Sequence, residues 1–528
     1  MSERKQNFLQ GTLLLAMSTA IVKVIGAFYS IPLNAIIGPE GFSYYSTAYE
    51  IYTVLLMIST AGLPVAMSRM ISAASSLGHY RQVRRIYNVS RSIFLTLGLI
   101  GAGLMTGFCR QLAAFQEQPD AWAAIAALGP SCFLICLMST YRGFFQGQSN
   151  MMPTSVSQVI EAITKLVVGI SAALLMLWYT RSYALAAGGA IFGVTMSCLV
   201  SSLYLNHCFR KSYQNLPQAM DEPESAKDIA RGLLAIAIPI TLGSAGLQIL
   251  TVLETKIYMS QLLLQITQDQ ADLQKGIYNF TQKIFNMPCA FITPITVSVI
   301  PALTAQITAG NHFEAKATEE SAIRVMALIS MPCAFGLAVL AEPVTALLGG
   351  YTAERLALAT RLMTVLGISI MFNAVVLVTT SIMQAHGHVN RPVVNMLLGG
   401  LVKLVAVFIL TGNPHIGILG TPIGTLLCYL CICLLNVASI RKLFPHPPAI
   451  LKNLVRPFVA AASMGIFTYG AWLGLKTLGF GSRIILCGAP IMVGVAVYAV
   501  LAIRLKAITR EDCLLLPKGE KIAKLLKL

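Results

Sequence analysis

The sequence is poor in charge, and poorer still in charge of negative sign. Its 528 residues hold 38 Lys and Arg against 21 Asp and Glu, only 11% charged in all. A soluble domain carries about 25%, so a water-facing surface for a chain of this length cannot be assembled from these residues. Large hydrophilic loops are missing too, the longest being about 20–25 residues near 69–91, 207–232 and after 504, which excludes a catalytic domain between apolar segments. No phosphate-binding loop, nucleophile elbow or zinc-hydrolase signature occurs, so an ATP-driven pump or a hydrolase has no engine here. The 12 cysteines lie mostly inside apolar runs, including the CYLCIC stretch with Cys428, Cys431 and Cys433. There a cysteine serves as a small hydrophobe, and neither a metal site nor a disulfide framework is expected.

What is present is apolar length. Hydrophobic residues make up 56% and mean hydropathy is +0.72. Fourteen apolar segments run from 8–37 to 484–503, and a spanning helix needs about 20 such residues. The predicted fold is therefore an all-α polytopic membrane protein with about 14 transmembrane helices. The first segment, about 30 residues, exceeds a signal core of 7–15 and is expected to stay as a span.

The formal net charge of +17 would suit nucleic acid if it were spread evenly. With the N-terminus placed in the cytoplasm, the inward-facing segments hold 26 Lys and Arg and the outward-facing ones seven, among them Lys275. That asymmetry is the positive-inside pattern. It predicts both termini in the cytoplasm, contact with anionic lipid, and no nucleic-acid partner. The tail from 507 to 528 reads as a basic amphipathic run on the membrane surface.

The chain also repeats. LPVAMS at Leu63 matches IPALTA at Ile300; GHYRQVRR at Gly78 matches GNHFEAKA at Gly310. Gln146 and Lys165 are spaced as Gln384 and Lys403, and Gly189/Gly193 as Gly420/Gly424. All these offsets fall between 231 and 238 residues. Six spans per repeat, an even number, put both copies in the same orientation, and transporters built this way bind cargo between halves. The expected organisation is a six-helix bundle over 1–206, a cytoplasmic linker 207–232, a second bundle 233–440, two additional helices in 450–506 and the tail 507–528, with a central cavity between the bundles.

YRGFFQGQSNMMPTSVSQVIEAITK, Tyr141 to Lys165, closely resembles a signature of the polysaccharide-exporter branch of the multidrug/oligosaccharidyl-lipid/polysaccharide superfamily. Within that branch the chain is similar to the stage V sporulation protein B and MurJ-type lipid II flippase group. The resemblance implies a secondary flippase that carries a lipid-linked, undecaprenyl-diphosphate type cell-wall or polysaccharide precursor from inner to outer leaflet by alternating access. It implies a bacterial cytoplasmic membrane, no enzymatic activity, and a monomer working alongside the cell-wall synthesis machinery. No cofactor is expected beyond a coupling Na⁺ or H⁺. The alternatives are a cation-coupled multidrug exporter of the same superfamily and a membrane glycosyltransferase or polymerase.

Ionisable residues inside spans are costly and mark functional sites. Lys23, Glu50, Glu161, Lys165, Glu254, Lys256, Lys283 and Lys403 all fall there. Lys23 and Lys283 match positions where the lipid II flippases carry cavity arginines, with Tyr29 standing where a further arginine occurs, so Lys23, Tyr29, Glu50 and Lys283 are the expected substrate-binding set. A pairing of Lys23 with Glu50 or another buried carboxylate is the structural alternative. Glu254 matches a family position that supplies an acidic ligand to a cation, and it either takes a coupling ion or is held by Lys403. Glu161 and Lys165, at i and i+4, form either a self-neutralising pair or part of a gate. Arg142 and Gln146 sit where the fourth span meets the cytoplasm, as part of an inner gate or, the favoured reading, in a mainly structural role. Lys256 is expected to snorkel, and His386 and His388 to lie in a solvated turn.

Overall fold

The computed structural model describes residues 8–479 and 481–507, and every regular element among them is helical. The order is α1 (Phe8–Thr60), α2 (Leu63–Ser76), α3 (Tyr80–Gly107), α4 (Cys109–Phe115), α5 (Trp122–Gly147), α6 (Met152–Thr180), α7 (Tyr183–Gln214), α8 (Ala226–Leu263), α9 (Gln268–Thr308), α10 (His312–Val339), α11 (Ala341–Gly349), α12 (Ala353–Ala385), α13 (Asn390–Thr411), α14 (Gly420–Leu443), α15 (Ile450–Thr477) and α16 (Arg483–Arg504). Twelve helices among the described residues are long and apolar enough to cross a membrane. Two of the fourteen expected spans meet in one of these, the run Phe28–Ser76, and α9, which carries the expected span at 277–304, is not among the twelve. The number fourteen is therefore approximate, and the class is that of a polytopic all-α membrane protein. Residues 508–528 of the expected amphipathic tail lie outside the described residues.

α1 is two helices joined at Gly38, whose φ of 66° and ψ of 174° no side-chain-bearing residue adopts cheaply. Pro39 follows, where its missing N–H and fixed φ suit the first position of the second helix.

The chain divides into two units, Met1–Asn279 and Phe280–Leu528. In the first, α6 packs along α7, α5 lies against α3 and α7, and α1 runs over α5, α6, α7 and α8. Gly193 makes the α6–α7 contact possible: a Cβ there would fall 2.3 Å from the Gly169 Cα. In the second unit, Ile292, Leu303, Ala322, Met326, Ala374 and Ile382 belong to a core shared by the latter half of α9, α10 and α12. α13 packs on α14, and α15 on α10 and α16. Gly420 and Gly424 repeat the first unit's device, since added Cβ atoms would meet Thr411 N at 2.7 Å and Val407 Cγ2 at 2.6 Å.

The repeat read from the sequence is also written in the turns. Gly78 and Gly310 both take a left-handed φ, 75° and 77°, one turn before α3 and α10. Ser149 and Gly387 do the same, at 58° and 80°, after α5 and α12. Each of these two donates its N–H to the glutamine three residues earlier, Gln146 and Gln384, at 3.0 Å.

Candidate functional site

The motif Tyr141 to Lys165 folds as the end of α5, a turn, and the first half of α6. Several of its residues serve packing. Phe144 and Phe145 are buried, and Gly143 and Gly147 let α5 approach α2, where added Cβ atoms would meet Met67 Sδ at 3.1 Å and Ile71 Cβ at 2.8 Å. Gln146 is half-buried beside the α5–α6 turn. The polar residues turn to the opposite side. Arg142 Nη2 donates to Glu161 Oε2 at 3.0 Å and its Nε to Ser157 Oγ at 3.1 Å. Glu161 is thus paired with Arg142 across two helices. Lys165, its i+4 neighbour, points its Nζ at the Tyr49 hydroxyl, 2.7 Å away. The ammonium also lies over the rings of Tyr49, Tyr29 and Tyr45, at 4.5, 5.1 and 6.0 Å from their centroids. An ammonium attracted by three ring faces and one hydroxyl is well held without a carboxylate.

These groups surround a cavity of about 290 Å³ lined by α1, α5 and α6, with Tyr29, Tyr49, Arg142, Gln158, Glu161 and Lys165 on its wall. Tyr29 is buried, with its hydroxyl donating to Ala190 O at 3.3 Å.

A second, largely buried polar cluster lies in the same unit. Lys275, expected at an outward-facing end, has no exposed surface. Its Nζ lies 3.8 Å from Glu50 Oε2, 3.0 Å from Gln118 Oε1 and 2.5 Å from Thr47 Oγ1. Gln118 passes the network on, its Nε2 donating to Asp272 Oδ1 at 2.6 Å, while the Tyr44 hydroxyl donates to Asp272 Oδ2 at 3.1 Å. Gly276 allows this: a Cβ would overlap the Pro39 carbonyl, so α9 begins in direct contact with the α1 kink. Glu50 therefore has a structural partner that no spacing announced. Lys256, expected to snorkel, is paired with Glu117 instead.

The remaining expected residues are placed as follows. Glu254 is buried in α8 of the first unit; Lys403 is half-buried in α13 of the second. Lys23 lies in the first part of α1 and its side chain is outside those described. Lys283 is exposed on α9 in the second unit. In the α12–α13 turn, His386 is not simply solvated. Its Nε2 lies 2.6 Å from Glu319 Oε1, which is 2% exposed, and its ring sits 3.8 Å from that of Phe444. Among the described residues no group of three or more His, Cys, Asp or Glu is arranged to hold a metal.

The second unit also contains a larger, apolar cavity of about 740 Å³. Ile284, Met287, Pro332, Gly336, Met464 and Tyr498 are among its wall residues, and among the described residues lining it none is Asp, Glu, Lys, Arg or His. The last two of these residues come from α15 and α16, the helices beyond the repeat.

Comparison with known proteins gives this architecture a family. The model described as "Polysaccharide biosynthesis protein" matches residues 8–306. The chain belongs to the polysaccharide biosynthesis protein family. Among curated relatives it is 24% identical over 526 residues to stage V sporulation protein B of Bacillus subtilis (strain 168), covering 97% of this chain and 98% of that protein. To lipid II flippase MurJ of the same organism it is 24% identical over 482 residues, 87% of each. Among solved structures, a lipid II flippase MurJ in an inward closed conformation superposes with a TM-score of 0.69 at 14% identity, covering 93% of this chain and 98% of that one. An inward-facing multidrug resistance MATE family transporter of the MOP superfamily gives 0.67 at 14% identity over 80% and 97%. At these identities the solved structures establish the fold and nothing more.

Proposed function

We propose that the chain is a flippase that moves a lipid-linked sugar, of the undecaprenyl-diphosphate type, from the inner to the outer leaflet of a bacterial cytoplasmic membrane without altering it chemically. The observation that carries this reading is the apolar cavity walled in part by α15 and α16. A hydrocarbon chain gains about 0.8 kcal/mol for each CH₂ moved out of water, and a wall whose described residues include no Asp, Glu, Lys, Arg or His asks nothing more of its ligand. A cationic drug, the cargo of the alternative reading, would want a carboxylate in such a cavity.

In this reading Lys23 and Lys283, one from each unit, neutralise the diphosphate, because a buried anion is costly unless a cation partners it. Glu254 serves as the group that takes a coupling Na⁺ or proton, or else is held by Lys403. Both termini lie in the cytoplasm, and the protein works as a monomer. Depleting the gene and measuring lipid-linked sugars by mass spectrometry tests the reading. Accumulation of one undecaprenyl-linked species is the expected result. An unchanged lipid-linked pool together with altered susceptibility to cationic drugs would replace it with the exporter reading.

A further inference from the structure

The polar cavity of the first unit is built differently from the apolar one and needs a different ligand. Among the described residues its ionic inventory is two cations, Arg142 and Lys165, against one carboxylate, Glu161. Arg142 brings five N–H donors and Lys165 three. Glu161 and Ser157 take two from the arginine, and the Tyr49 hydroxyl takes one from the lysine. The described residues therefore give the cavity a surplus of donors and one unit of excess positive charge. It also holds one acceptor in want of a donor: Gln158 Oε1 is buried with no hydrogen-bond partner. Leaving such a group unsatisfied costs about 1–3 kcal/mol.

Each candidate occupant can be weighed against that inventory. Water satisfies Gln158 but not the charge. A bare anion satisfies the charge but brings no donor. A molecule with an oxyanion and a hydroxyl satisfies both, and at about 290 Å³ the cavity stands at the lower end of the roughly 300–1,000 Å³ usual for small-molecule sites. The Tyr29, Tyr45 and Tyr49 rings confine the lysine ammonium, so its direction is set before a ligand arrives, which lowers the ordering cost of binding.

We propose that this cavity binds a sugar phosphate, with Arg142 and Lys165 taking the phosphate oxygens and Gln158 accepting from a sugar hydroxyl. The proposal rests on the reading of the chain as a flippase of lipid-linked sugars, and it adds a sugar-phosphate contact within the first unit to the Lys23 and Lys283 contacts of that reading. The shared chemistry has two sources, a phosphate borne by a lipid or a free sugar phosphate, and the test separates them.

The experiment uses the full chain purified in detergent and follows its thermal unfolding against four probes: N-acetylglucosamine 1-phosphate, farnesyl diphosphate, inorganic phosphate and N-acetylglucosamine. N-acetylglucosamine 1-phosphate is expected to raise the midpoint in a saturable way, inorganic phosphate to do so more weakly, and N-acetylglucosamine not at all. Competition by farnesyl diphosphate assigns the site to a lipid-borne phosphate; its failure to compete assigns it to a free one. Lys165→Met is expected to weaken N-acetylglucosamine 1-phosphate by about tenfold to a hundredfold, the loss of one charge-assisted contact. Gln158→Met should abolish the preference for the sugar phosphate over inorganic phosphate. Should Lys165→Met fail to fold, Tyr49→Phe, which removes only the hydroxyl that orients the lysine, takes its place with a smaller loss. Lys476→Met, at the exposed pair with Glu342, is expected to bind as wild type. The proposal is overturned if N-acetylglucosamine 1-phosphate does not bind, or if the Lys165, Tyr49 and Gln158 variants all bind it as wild type does. Such a failure leaves the flippase reading standing wherever depletion still makes lipid-linked sugar accumulate. If depletion leaves that pool unchanged, the reading itself fails, whatever the binding result.

Discussion

Where the first unit has Arg142, the second, 238 residues on, has Thr380; where it has Glu161, the second has Gly399; and Gln158 gives way to Met396. The backbone plan around these positions is nearly the same. Both α6 and α13 are gripped by the small-residue face of the following helix, and both begin after a left-handed turn. The polar content differs. The second unit keeps Lys403 at the Lys165 position, but around it Asn395 Nδ2 donates to Asn436 Oδ1 at 2.9 Å and Asn436 Nδ2 to the Thr379 and Thr380 hydroxyls at 3.0 and 3.3 Å. The first unit keeps charge and an orphan acceptor around an open cavity. A duplicated scaffold has thus kept its packing in both copies and placed the Arg142–Glu161 pair in one of them, while the apolar cavity formed with α15 and α16 belongs to the other.

The sharpest way to break the comparison is to strip the first unit's buried charge. Lys275→Met leaves the buried Asp272 and the half-buried Glu50 without their cation, and breaking a buried pair costs about 3–5 kcal/mol. Little folded protein should be recovered by size-exclusion chromatography, and adding Glu50→Gln should restore part of the yield. Next in size are Lys23→Ala and Lys283→Ala, one in each unit. Each is expected to weaken head-group binding by about tenfold to a hundredfold, read as failed complementation of a flippase-depleted bacterium at normal expression. Growth equal to wild type in both single variants and the double would move the diphosphate contacts elsewhere.

A smaller effect sharpens the packing side of the comparison. Gly193→Ala drives a methyl against the Gly169 backbone, which cannot rotate away, and should cost about 1–3 kcal/mol in thermal unfolding. Gly424→Ala meets the end of the Val407 side chain and should cost less. Equal losses would mean that the two helix pairs are equally tight at these glycines, against this expectation. The smallest effect concerns Asp221 in the connection before α8. Partial desolvation works to raise its pKa, but the N–H groups of Arg81 and Gln82, at 3.0 and 2.8 Å, more than offset that and hold it below the usual carboxylate value. A depressed carboxylate pKa contributes stability above the unfolded value, about 3.9, and loses it as pH falls through the folded one. Wild type should therefore unfold at a slightly higher temperature than Asp221→Asn at neutral pH, and the two midpoints should converge in acid.

Much of this was legible in the sequence because it is periodic. Apolar length gave the helices, and the matching glycines gave contacts that recur between α6 and α7 and between α13 and α14. What stayed hidden depends on partners far apart in the chain. Lys275 beside an apolar segment looks like an interfacial anchor; its partners Thr47, Glu50 and Gln118 come from two other stretches, and nothing in their spacing points to it. Glu161 and Lys165 have the spacing of a helix pair, yet Arg142 on α5 lies closer to the carboxylate and three tyrosines of α1 hold the ammonium. His386 looked like a turn residue because Glu319, its partner, sits 67 residues earlier.

The central claim, that this protein carries a lipid-linked sugar across a bilayer, is tested most directly in reconstituted vesicles. Purified protein is placed in liposomes containing a fluorescent undecaprenyl-diphosphate sugar, and the fraction quenched by a membrane-impermeant reductant is followed over time. The account predicts that quenching passes beyond the outer-leaflet half in vesicles with wild-type protein and stops near half in vesicles with the Lys23→Ala/Lys283→Ala double variant. Quenching that stops near half with wild-type protein as well, under each of an imposed Na⁺ gradient, a proton gradient and a membrane potential, would contradict it.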